Sequence, residues 1–207
     1  MNHIETELKF FVADPAALRK KLPGTGAICT GQKVFEHNVR YETPDDRLLK
    51  KQCLLRLRKD RNVTLTFKAP PPAADSEFKV YREMEVQVDD FAVMDAILAE
   101  LGFSARQIYQ KWRETWELES AVLCVDTLPF GTFLEIEGTP ETILSAMQRL
   151  ELGWEHRIRA NYLGMFEVLR KAEHWPFTDI TFDHFAGLTF DFSGYRQQFE
   201  AGAEGYK

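Results

Sequence analysis

Apolar and charged residues alternate from the start of the chain, with Ile4, Thr6, Leu8 and Phe10 interleaved by Glu5, Glu7 and Lys9. A β-strand sends successive side chains to opposite faces, so the two glutamates and the lysine share one face and the other is largely apolar. The same alternation, bounded by turn residues, predicts about eight strands, at 4–11, 34–42, 53–60, 62–69, 79–88, 107–118, 121–127 and 132–138. Tight connections at Asp60-Arg61-Asn62, Glu119-Ser120 and Leu128-Pro129-Phe130-Gly131 predict antiparallel hairpins. Helical spacing appears between and after the strands. Asp14-Pro15 opens a helix to about Leu22, and Asp90 opens another whose Phe91, Met94, Ile97, Leu98 and Leu101 precede Gly102. Thr139-Pro140-Glu141 starts a third, through Ile143, Leu144, Met147 and Leu150, and a fourth over 159–173 carries Tyr162, Leu163, Phe166 and Leu169 on one stripe. The prolines of Ala69-Pro70-Pro71-Pro72-Ala73-Ala74 exclude that stretch from a sheet and make it a surface connection.

Parity within the strands carries the chemistry. Arg56 and Arg58 share a face, as do Glu83 and Glu85, Lys111 and Arg113, and Glu135 and Glu137, while Leu55, Leu57, Met84, Val86, Trp112, Leu134 and Ile136 take the opposite faces. One such charged face is what any half-solvated strand shows. Its recurrence in several strands is not. Amphipathic helices can cover only the outside of a sheet this size, which leaves the charged faces looking at one another. The expected fold is α+β, an eight-stranded antiparallel β-barrel closed around a polar tunnel, with helices on the outside.

With 207 residues, 44% hydrophobic and 28% charged, the chain reads as a soluble globular protein. Its division is expected at 1–172, the tunnel domain, and 173–207, an extension rich in aromatics from Trp175 to Phe199. Packing across the domain or against a dimer partner explains those aromatics, and a gate over one tunnel end is the functional alternative. A net charge of −6 argues against holding nucleic acid or a membrane through the overall field, so any anion site must be concentrated. No apolar run spans a bilayer and the first residues lack a signal-peptide layout, so the cytoplasm is the expected location. Cys29, Cys53 and Cys124 read as reduced thiols buried as small hydrophobes, and the five histidines lack ligand spacing. No phosphate-binding glycine loop is present.

Buried ions need compensation by opposite charges or ligands, and a lining of both signs matches a metal-chelated polyphosphate. Glu5, Glu7, Glu135 and Glu137, with Asp126, are hard oxygen donors suited to Mg²⁺ or Mn²⁺. Lys9, Arg56, Arg58, Lys68, Lys111 and Arg113 offer point charges and forks for phosphate oxygens.

The ordered set Glu5-x-Glu7-x-Lys9, Tyr41-Glu42-Thr43-Pro44, Leu55-Arg56-Leu57-Arg58, Lys68, Arg82-Glu83-x-Glu85, Lys111-x-Arg113, Asp126 and Gly131-x-Phe133-x-Glu135-x-Glu137 resembles the CYTH domain of the triphosphate tunnel metalloenzymes. The resemblance spans about 1–172 and includes Asn161-Tyr162 before the last helix. It implies an eight-stranded tunnel acting on inorganic, thiamine or nucleoside triphosphates, or cyclising ATP. By matching, Glu5, Glu7, Glu135 and Glu137 are implied metal ligands, and Asp126 is a further metal candidate. Lys9, Arg56, Arg58, Lys68 and Arg113 are implied phosphate ligands, with Arg82 and Lys111 as further phosphate-binding candidates. Glu5, Glu7 and Lys9 are the catalytic candidates, and Glu83, Glu85, Arg157 and Arg159 are accessory ones. Leu54 stands where thiamine triphosphatases of the family carry an aromatic, which weakens the thiamine reading. The leading expectation is a metal-dependent triphosphatase with a small-molecule substrate. A class IV-type adenylyl cyclase is the alternative, and a non-enzymatic polyphosphate-binding module would not need the paired glutamates. Oligomeric state stays open, a homodimer included.

Overall fold

The computed structural model describes residues 4–71 and 77–202. Pro72, Ala73 and Ala74 of the proline-rich connection, and His3, lie outside the described residues. The strands are β1 (Ile4–Phe11), β2 (Ile28–Glu42), β3 (Leu54–Lys59), β4 (Val63–Ala69), β5 (Lys79–Val88), β6 (Ser104–Leu118), β7 (Ala121–Leu128), β8 (Gly131–Glu137) and the two-residue β9 (Arg157–Ile158). The helices are α1 (Pro15–Gly24), α2 (Arg47–Lys50), α3 (Phe91–Glu100), α4 (Pro140–Arg149), α5 (Tyr162–Ala172) and α6 (Arg196–Phe199). The sheet order is β5-β4-β3-β2-β6-β7-β8-β1, and β1 pairs back onto β5 through Glu7 opposite Lys79, which makes an antiparallel ring of eight strands. β9 lies along the rest of that β1 edge, at Lys9 and Phe10.

The caps that the sequence signals are in place. Asp14 accepts hydrogen bonds from the backbone of Ala16 and Ala17, Asp90 from Val93, and Asn161 from Gly164. Gly102 ends α3 at φ +85, a conformation that costs other residues a steric penalty. β2 extends back to Ile28, well beyond the expected start at 34, because register shifts around Gly31 interrupt the alternation that marks a strand. α5 starts at Tyr162 and not at 159, since Arg157 and Ile158 pair with β1.

Apolar faces point outwards beneath α3 and α4. Leu8, Phe10, Leu123, Val125, Leu134 and Ile136 pack with Ile143, Ala146, Met147 and Leu150 of α4, and Leu55, Leu57 and Val39 pack with Leu98 of α3. The third cluster joins Phe130, Phe133, Met165, Phe166 and Leu169 to Trp175, Ile180, Phe185 and Phe192 of the tail. The tail is therefore part of the packing around α5. Ile180 exchanges backbone hydrogen bonds with Ile108 and Gln110 at 2.8 Å each, covering the edge of β6 that β7 does not reach. Of the three cysteines only Cys124 is buried; Cys29 is exposed, against the expectation of burial for all three.

Candidate active site

Charged rows from the inward faces of the ring line a cavity of about 880 Å³. β1 contributes Glu5, Glu7 and Lys9, β3 contributes Arg56 and Arg58, β4 Lys68, β5 Glu83 and Glu85, β6 Lys111 and Arg113, and β8 Glu135 and Glu137. All of these except Lys68, which entered as a candidate cation, were marked by parity. Cross-strand pairing sets the distances among them: Glu7 sits directly opposite Glu137, and Lys9 opposite Glu135.

Two charge zones result. In the acidic zone, Glu5, Glu7 and Glu137 bring one carboxylate oxygen each within 4.8 Å of one another. Three hard oxygen donors converging this closely fit a Mg²⁺- or Mn²⁺-type cation. Burial, with repulsion from Glu135, Glu7 and Glu5, outweighs Arg113 and pushes the Glu137 carboxyl up to about 7. Burial likewise pushes Glu83 up to about 7 despite Lys68. A crowded acid raised in this way is one that a divalent cation would ionise fully and bind. Lys68 hydrogen-bonds Glu5, and Lys79 hydrogen-bonds Glu7.

The second zone is a buried network around Asp126. Arg113 donates from Nε to Asp126 Oδ1 at 2.7 Å and from Nη2 to Oδ2 at 2.6 Å, Lys111 donates to Oδ2 at 2.7 Å, and the Tyr162 hydroxyl donates to Oδ2 at 3.0 Å. Arg113 Nη2 also donates to Glu135 at 2.5 Å, and Glu135 lies 2.9 Å from Lys9 Nζ. The Lys9 ammonium stands 4.1 Å from the centre of the Tyr162 ring, a cation–π contact. Arg56 donates to Tyr109 Oη at 3.0 Å and to Thr66 Oγ1 at 3.2 Å, while its buried Nε has no hydrogen-bond partner among the described residues. Such an orphaned donor on a cavity wall suits an anionic ligand.

Several expected site residues are placed elsewhere. Asp126 is fully buried behind the wall with both oxygens taken by cations and a hydroxyl, so it organises Lys111 and Arg113 and is not positioned as a metal ligand. Glu135 faces the cavity, but its oxygens serve Lys9 and Arg113, outside the three-carboxylate cluster. Arg82 is exposed on β5 opposite Ile4 and Ala69, in step with the outward Val80 and Met84, and so does not reach the phosphate track. Arg157, an accessory candidate, is buried on β9, donating to the carbonyls of Trp154 and Gly202 at 2.9 and 3.0 Å. Arg159 borders a separate cleft with Pro70, Pro71 and Phe78. Glu42 accepts from the backbone of Thr43, Leu48 and Leu49 and thereby caps α2, a structural task.

Other lining residues had gone unmarked. Lys79 lines the cavity and shares parity with Glu83 and Glu85; Glu36, buried behind the wall, shares parity with the lining Arg40, so both were accessible to the same reasoning. Glu36 is buried 3.5 Å from Lys111 and 3.8 Å from Arg113. Burial pushes its carboxyl up, but Lys111 and Arg113 outweigh that and bring it down to about 2 from 4.5. A folded value below the unfolded one means that this stabilisation is fully present above pH 4.5 and is lost as the pH falls toward 2. The expected contribution is about 3 kcal/mol. Thermal unfolding followed between those limits should show a steeper acid loss for the wild type than for Glu36→Gln; parallel curves would remove Glu36 from the acid response.

An antiparallel ring of eight strands with helices, whose inward rows of ordered carboxylates and cations line one cavity, defines an α+β fold class built around a charged interior. The chain belongs to the CYTH domain family, whose model matches residues 3–151. Among solved structures it is similar to a putative adenylate cyclase from Vibrio parahaemolyticus, at 20% identity and TM-score 0.69, covering 82% of this chain and 99% of that one. It is also similar to two proteins of Pyrococcus horikoshii: one at 28% identity and TM-score 0.64, covering 80% of this chain and 99% of that one, and one at 27% and 0.64, covering 76% and 96%. Comparison with curated proteins finds no significant match. Members of the family are metal-dependent enzymes that act on triphosphates, as cyclases or triphosphatases. Among the described residues, no helix is long and apolar enough to cross a membrane.

Proposed function

We propose that the protein is a metal-dependent triphosphatase that hydrolyses the terminal phosphoanhydride of a triphosphate held in the cavity. The carrying observation is the juxtaposition, within one cavity, of the Glu5, Glu7 and Glu137 carboxylate cluster and the cationic row of Arg56, Arg58 and Lys68. Glu5, Glu7 and Glu137 would hold Mg²⁺ or Mn²⁺, which when bound supplies Lewis-acid polarisation and charge neutralisation at phosphate oxygens. Arg56, Arg58 and Lys68 fix the phosphate chain and offset its charge. Lys111 and Arg113, pinned by Asp126, keep the floor of the cavity cationic in a preorganised arrangement. Lys9, held between Glu135 and the Tyr162 ring, adds a rigid positive charge beside the acidic zone. Phosphoryl transfer needs little covalent assistance, so positioning and electrostatics carry most of the catalysis. Water forms the new bond to the terminal phosphorus, the bridging P–O bond breaks, and triphosphate yields orthophosphate and pyrophosphate.

The test is product analysis with Mg²⁺ or Mn²⁺ and, separately, inorganic triphosphate, ATP and thiamine triphosphate. Orthophosphate release is the expected result. Cyclic AMP with pyrophosphate from ATP would replace this reading with the cyclase, and binding without turnover would reduce the protein to a polyphosphate-binding module.

A further inference from the structure

The mouth of the cavity carries two arginines that none of the roles above uses. In the ladder between β2 and β6, Arg40 is opposite Gln107 while Tyr41 is opposite Ala105, so Arg106 is the extra residue of a β-bulge. A bulge suspends the alternation of faces and re-aims a side chain. Here it lets the consecutive residues Arg106 and Gln107 both line the cavity, which a regular strand would forbid. Arg40 lies on the inward row of β2 directly opposite Arg56 of β3. The cationic row therefore continues outwards by one strand position, from Arg56 to Arg40, with Arg106 beside it.

Neither arginine is satisfied by the protein. Among the described residues, Arg40 and Arg106 form no hydrogen bond and no ion pair within 4.0 Å. Burial weighs most on the half-buried Arg40 and, with repulsion from Arg106, outweighs the attraction of Glu42, Asp46 and Glu167. Of the carboxylates that act on Arg40, Glu42 accepts from the backbone of Thr43, Leu48 and Leu49, and Glu167 is engaged by Arg170 at 3.0 Å. Leu49, Leu54 and Leu163 make up the apolar part of the wall. Two of the tyrosines that line the cavity, Tyr109 and Tyr162, are committed to Arg56 and Asp126. Guanidinium forks without a side-chain partner suit a further phosphate group, whose oxygens accept from them in pairs.

We propose that Arg40 and the bulged Arg106 form an anion subsite that holds a fourth phosphoryl unit, so that linear polyphosphates longer than triphosphate are the favoured substrates. The proposal rests on the triphosphatase reading of the same cavity and extends it outwards. Its test compares inorganic tri- and tetrapolyphosphate in the wild type, Arg40→Gln/Arg106→Gln and Arg40→Lys/Arg106→Lys, with thermal unfolding as a check on folding. The wild type should show a KM for tetrapolyphosphate about tenfold below that for triphosphate. In the glutamine double variant the ratio should collapse towards one, and the lysine double variant should restore part of it. Equal KM values in the wild type, or an equal rise for both substrates in the glutamine variant, would overturn the subsite. A loss for ATP alone would overturn it in favour of a nucleotide contact. Calorimetric binding of the same two polyphosphates with Mg²⁺ asks the question independently of turnover. If hydrolysis fails but the affinity ratio and its loss remain, the subsite stands and the triphosphatase reading falls; if hydrolysis is present and the ratio is one, the reverse holds.

Discussion

Glu7→Gln should lower kcat by about a thousandfold or more in saturating Mg²⁺, since a metal's Lewis-acid contribution of several kcal/mol converts at about 1.4 kcal/mol per tenfold. Glu7 is almost fully buried, lies directly across the ladder from Glu137 and contributes to the three-carboxylate cluster. Glutamine keeps the size and removes the charge. It also leaves Lys79 without its nearest counter-ion, which would work against metal binding by adding an uncompensated positive charge beside the site. The metal dependence should therefore shift along with the rate, the Mg²⁺ midpoint moving upwards by at least about tenfold. Thermal unfolding identifies a variant that has merely failed to fold. A folded Glu7→Gln protein with full activity and an unchanged Mg²⁺ midpoint would exclude this carboxylate from the metal site.

Asp126→Ala should produce the largest loss of stability, about 3–5 kcal/mol, because it strands Lys111 and Arg113 as buried cations without their shared anion. For a chain of this length that corresponds to a fall in Tm of roughly 10 °C. Asp126 is completely inaccessible, and its two oxygens accept four hydrogen bonds, three from cations and one from the Tyr162 hydroxyl. Asp126→Asn should cost less, since an amide oxygen still accepts. Because Asp126 is structural, the asparagine variant should also keep its Mg²⁺ midpoint. A Tm for Asp126→Ala within about 2 °C of the wild type, or a large midpoint shift in Asp126→Asn, would contradict the assignment.

Much of the site was legible because a strand's side-chain period is two. Glu5, Glu7 and Lys9 had to share a face, as did Arg56 with Arg58 and Glu135 with Glu137, whatever the strands paired with. The same rule assigns Arg82 outwards with Val80 and Met84; its place among the phosphate ligands came from motif adjacency, and the structure sides with the parity. Parity says nothing about depth, which is why Asp126, on the inward face of β7, reads like a ligand although Lys111, Arg113 and Tyr162 enclose it. It also fails wherever the ladder slips. Arg106 could not have been assigned to the cavity, because the bulge that aims it there is a property of the pairing between β2 and β6. Arg157 was misplaced for a related reason: a two-residue strand is too short to show a period, and its pairing with β1 draws it beneath Trp154.

What the chain determined by itself was a set of two-faced strands, the helices that cap and cover them, and the sign of charge on each inward row, all consequences of local periodicity and capping chemistry. Ring closure of β1 onto β5, the convergence of Glu5 and Glu7 with the distant Glu137, and the burial of Asp126 between cations were decided only by the tertiary structure. The physical reason is that a strand's sequence encodes which face a side chain takes, whereas the distance between charges on different strands depends on register and curvature, which arise when the strands pair.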